Sequence, residues 1–87
     1  METIVTHMNT PESINRSLLN VIEEARKGAG MSQRDLSESA GIPLTTLHHK
    51  LRGHRSLNVT ELALISDALG LSLTELALRA ERSLIAA

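Results

Sequence analysis

The 87-residue chain contains no cysteine, no phenylalanine, no tyrosine and no tryptophan. Without thiols it can form neither a disulfide framework nor a thiolate metal centre, and an intracellular compartment is the default for such a chain. Without aromatic rings it cannot stack unpaired bases, which argues against single-stranded nucleic acid and RRM-like RNA partners. No stretch approaches eighteen consecutive apolar residues, so no membrane span is expected. Residues Met1–Asn9 lack the basic and apolar regions of a secretory signal and read as a short flexible leader. Positive charge is also missing from the total: the formal sum is −1, which at first sight discourages a polyanionic partner.

What is present is aliphatic. A hydrophobic fraction of 41% is carried by Leu, Ile, Val, Ala and Met, and the length suits one domain with a single core, taken as residues 10–87. Start and stop signals divide it into five helices. Thr10 suits an N-cap, with Pro11 at the first helical position; Ile14, Leu18, Ile22 and Ala25 then recur at helical spacing until Gly28-Ala29-Gly30. Ser32 opens a short second helix, with Asp35 three residues later and Met31 and Leu36 at hydrophobic-staple positions. The same grammar returns at Asn58/Glu61 and Ser72/Glu75. Gly41 stops the second helix, Gly53 closes a third that runs from Ile42-Pro43 to Arg52, and Gly70 ends the fourth. A short helix, a glycine turn and a second helix over residues 32–53 form a helix-turn-helix, although any small helical bundle has short loops too.

The charge is unevenly placed. Residues 1–38 and residues 61–87 each sum to −2, whereas Ser39–Thr60 carries Lys50, Arg52, Arg55, His48, His49 and His54 with no acid. A local excess of cations supplies the counterion release that drives phosphate binding. On the third helix Leu47 and Leu51 mark the buried stripe. At 100° per residue, Thr45, His49 and Arg52 lie opposite it, with Leu44 and His48 on one flank and Thr46 and Lys50 on the other. That face is polar and cationic. Leu44 either packs against the second helix or meets a thymine methyl.

Gln33-x-x-Leu36-Ser37-x-x-x-Gly41-Ile42-x-x-x-x-Leu47-x-x-x-x-x-Gly53, followed by Ala68-Leu69-Gly70-Leu71, resembles the Cro/C1-type (XRE-like) helix-turn-helix family of phage repressors and bacterial regulators. The likeness spans roughly Ser13 to Leu76, and the Thr45-Thr46-Leu47…Leu51-Arg52-Gly53 form is similar to phage immunity repressors. It implies a lambda-repressor-like all-α domain, a compact five-helix bundle. Its implied base-reading residues are Leu44, Thr45 and His49, to which His48 and Arg52 are added from the exposed face; Arg52 suits a phosphate or a guanine. The implied backbone contacts are Gln33 at the start of the second helix, Thr46 on the third, and His54 and Arg55 in the loop after it; Ser32 at the same helix start and Lys50 from the basic window are added to them. Three positions depart from the pattern. Ser37 stands where Ala is usual, Pro43 replaces a Ser or Thr cap, and Leu51 is apolar where the family more often has its apolar residue at the position of Lys50.

Catalysis finds no support, since no paired acids, nucleophile–base set or metal-ligand spacing occurs; adjacent His48 and His49 project about 100° apart and cannot grip one ion together. The expectation is a repressor that blocks promoters by occupying a double-stranded DNA operator in the cytoplasm of a bacterium or phage-infected host cell, with no small-molecule cofactor and no membrane. The alternative is an antitoxin or other interaction module that also binds DNA. An apolar stripe on the fifth helix (Leu76, Ala77, Ala80, Leu84, Ile85) either packs on the first helix or forms a homodimer seam.

Overall fold

A computed structural model describes residues 11–86, so Thr10 and the leader lie outside the described residues. Five helices follow one another: α1 (Pro11–Gly28), α2 (Gln33–Ala40), α3 (Leu44–Leu51), α4 (Val59–Ala68) and α5 (Leu73–Ala86). No strand occurs among the described residues.

Local hydrogen bonds set the starts of α2 and α4. The Ser32 hydroxyl accepts from the Asp35 amide (3.0 Å) and the Asp35 carboxylate accepts from the Ser32 amide (2.9 Å), a complete capping box. Asn58 and Glu61 repeat it at 2.7 and 2.9 Å. At α5 only half the motif forms: Ser72 accepts from the Glu75 amide, but the Glu75 side chain turns to Arg79 at 2.9 Å.

Each helix contributes one fully buried aliphatic side chain: Ile22, Leu36, Leu47, Ile65 and Leu76. Removing each from water contributes about 1.5–3 kcal/mol. Helix α1 packs against α5, and α2 against both α3 and α4. The α1 stripe differs at its start from the sequence reading. Ile14 is exposed, whereas Ser17, Leu19 and Val21 are buried. Burial of Leu19, Val21 and Ile22 outweighs that of Ile14, and the Ser17 hydroxyl, on the same side, donates to the Ala80 carbonyl of α5 at 2.7 Å.

The α2–α3 turn is held by Ser37. Gly41 adopts φ +71, a left-handed conformation that lets its amide reach the Ser37 carbonyl. The Ile42 amide bonds the same carbonyl (3.1 Å), and the Ser37 hydroxyl donates to the Ile42 carbonyl at 2.6 Å. Serine at this position is therefore a partner in the turn, which alanine could not be.

Candidate nucleic-acid interface

Helix α3 is pinned by Leu47 and Leu51, both buried, and thereby turns Thr45, His48, His49 and Arg52 outward to solvent. Leu44, Thr46 and Lys50 are half-buried on its flanks. At its end Gly53 (φ +85) reverses the chain: its amide bonds the Lys50 carbonyl (3.0 Å) and the His54 amide bonds the His49 carbonyl (3.2 Å). This is a Schellman closure, which brings the side chains at its two ends together. Here they are histidines, with ring centroids 5.7 Å apart.

A hydrogen-bonded chain runs along the surface from α3 to the start of α2. Arg52 Nη1 lies 3.5 Å from His48 Nε2, and His48 Nδ1 lies 2.9 Å from Gln33 Oε1. With Gln33 Oε1 as acceptor, His48 carries its proton on Nδ1 and offers Nε2 to Arg52, a tautomer assigned from the bonding pattern. On α1 Glu23 is gripped by Arg26 through two bonds of 3.0 and 2.8 Å, which, ahead of smaller contributions, hold its carboxyl below the usual carboxylate range. Gln33 thus ties α3 to the first turn of α2.

Grooves run along both flanks of the outward face of α3. One, of about 430 Å³, is lined by Gln33, Arg34, Leu44, Thr45, His48 and His49. The other, of about 290 Å³, is lined by Thr45, Thr46, His49, Lys50 and Arg55. Arg34 lies outside the acid-free window, so the charge pattern of the sequence does not select it. The signal was available: a cation one residue after Gln33, in the first turn of α2, is unfavourable for the helix dipole and needs another reason to be there. Arg34 makes no ion pair among the described residues.

Lys50 is placed differently from the expectation. Its ammonium donates to both carboxylate oxygens of Glu61 at 2.7 Å, and the two side chains are only 15% and 14% exposed. The Lys50 bond, and next the Asn58 amide, hold the Glu61 carboxyl below its ordinary range. The apolar residue that the family usually has at this position is replaced by the lysine stem, with its charge settled on α4. Of the expected backbone set, Ser32 spends its hydroxyl on the α2 cap, Gln33 bonds His48, and His54 and Arg55 stand exposed in the loop. No cluster of three metal-ligating side chains occurs among the described residues.

A short α2, a three-residue turn clamped by Ser37 and an outward polar face on α3 define a helix-turn-helix protein. A family model described as helix-turn-helix matches residues 22–76. The chain belongs to this family, of the Cro/C1 type, whose function is sequence-specific binding to double-stranded DNA in transcription regulation. No curated protein and no solved structure matches the chain. No described helix is long and apolar enough to cross a membrane.

Proposed function

We propose that the protein is a transcriptional repressor of the phage-immunity kind, acting in the cytoplasm of a bacterium or phage-infected host by occupying an operator. Helix α3 enters the major groove, α2 lies across the backbone, and polymerase is excluded by occupancy alone. The observation that carries this reading is the exposed face of α3. Thr45, His49 and Arg52 stand clear of the core, flanked by Arg34 and Arg55. Thr45 and His49 read base edges, with His48 and Leu44 beside them; Thr46, Arg34, His54 and Arg55 meet phosphates. Leu78 and Ile85, seven residues apart on α5, remain exposed while Leu76 and Ala80 are buried. Their exposure supports a two-fold homodimer through α5, and equally suits a protein partner of an antitoxin.

Selection of bound duplexes from a random pool tests the reading. Palindromic enrichment with half-sites about one helical turn apart supports a dimeric operator binder. A single unrepeated motif points to a monomeric reader, and no enrichment removes the repressor assignment.

A further inference from the structure

We propose that Glu61 is a positioning residue that withholds Lys50 from the DNA backbone, and so sets the strength of the sequence-independent part of binding. The inference rests on the DNA-binding reading and adds a residue outside the helix-turn-helix to it. Lys50 lines the same groove as Thr45, Thr46, His49 and Arg55, so its position on α3 is one from which a lysine stem can reach a phosphate. Its ammonium is nevertheless occupied. Glu61 presents two oxygens at 2.7 Å, from an element eleven residues further on, and the same carboxylate accepts the Asn58 amide at 2.9 Å. Chemically this carboxylate stands in for a phosphate oxygen. For Lys50 to turn to DNA it would leave one anion for another, and the pair would strand a half-buried carboxylate beside the Arg55 loop. Arg34, Arg52 and Arg55 have no carboxylate partner among the described residues, so they carry the phosphate contacts while Lys50 anchors α3 to α4.

The test measures binding of the full chain to the selected operator and to a random-sequence duplex across a salt series. Glu61→Gln leaves Lys50 without its counter-charge. The slope of log K against log[salt] should steepen by about 0.9 per protomer, and random-duplex affinity should rise about fivefold per protomer near 0.15 M salt. The double variant Lys50→Gln/Glu61→Gln should return to the wild-type slope. Glu81→Gln, an exposed acid on α5, should leave the slope unchanged, which separates local release of Lys50 from a mere change in net charge. Asn58→Ala removes the cap but keeps the ion pair and should also leave it unchanged. A Glu61→Gln slope equal to wild type overturns the inference. So does a double variant shallower than wild type by about one contact per protomer, because Lys50 would then already be on a phosphate; this second arm decides even if Glu61→Gln alone fails to fold. A wild type that binds no duplex at any salt removes the DNA-binding reading itself, an outcome distinct from either slope result.

Discussion

Side chains on this small surface divide by what their polar atoms already touch. Thr45 and His49 face outward from α3 with no partner within the hydrogen-bonded chain that ties Gln33, His48 and Arg52 together. Thr45→Ala and His49→Ala should therefore lose about 1–3 kcal/mol of discrimination between operator and mutated operator, measured by competition binding. Arg55→Ala should weaken every duplex alike. Ser37 is the opposite case, buried and used. Ser37→Ala removes the donor to the Ile42 carbonyl and should cost about 1–3 kcal/mol in denaturant unfolding. Glu61 adds a pH signature. Its folded pKa is lowered, so its contribution is fully present above the ordinary carboxylate range and is lost as pH falls through the lowered value. The stability difference between wild type and Glu61→Gln should therefore shrink on acidification below that range. A difference that grows in acid contradicts the pairing.

At the scale of elements, the caps separate short-range from long-range causes. Ser32/Asp35 and Asn58/Glu61 are three residues apart and close on themselves, so their pattern is legible in the sequence and forms as read. Ser72/Glu75 has the same spelling, yet Glu75 prefers Arg79 one turn on, where an opposite charge outbids a backbone amide. Asn58→Ala should lower stability by about 1 kcal/mol through its lost side-chain acceptor. Gly41→Ala meets no neighbouring atom within 4 Å, and its cost is the left-handed φ of +71 alone, roughly 1–2 kcal/mol. Both are read by thermal or denaturant unfolding. A Gly41→Ala variant as stable as wild type would mean the turn can relax to negative φ.

Across the whole molecule, charge and core are organised independently. The five fully buried aliphatics join all five helices into one core, so Leu76→Ala on α5 should cost about 2–5 kcal/mol although it lies outside the helix-turn-helix. Arg34 and Arg55 line the grooves beside α3 and Arg52 stands exposed at its end, with Lys50 set aside on Glu61. A dimer presenting three per protomer should bind with a slope of log K against log[salt] of roughly −5. A flat response would exclude phosphate contacts as a source of affinity.

The sequence by itself determined the five helices, their order and the outward face of α3, because capping boxes, glycine stops and apolar spacing act within one or two turns of chain. It also located the basic window hidden inside a net charge of −1. Tertiary structure alone decided which charges are free. Lys50 belongs to that window by sequence but finds its acid eleven residues later on α4, and Arg34 lies outside the window but joins the groove because α2 packs against α3. It decided likewise that α5 spends Leu76 and Ala80 on the core, with Ser17 bonded to a carbonyl 63 residues away, and leaves Leu78 and Ile85 to solvent. Such pairings depend on how helices cross, and no local pattern of residues encodes a crossing.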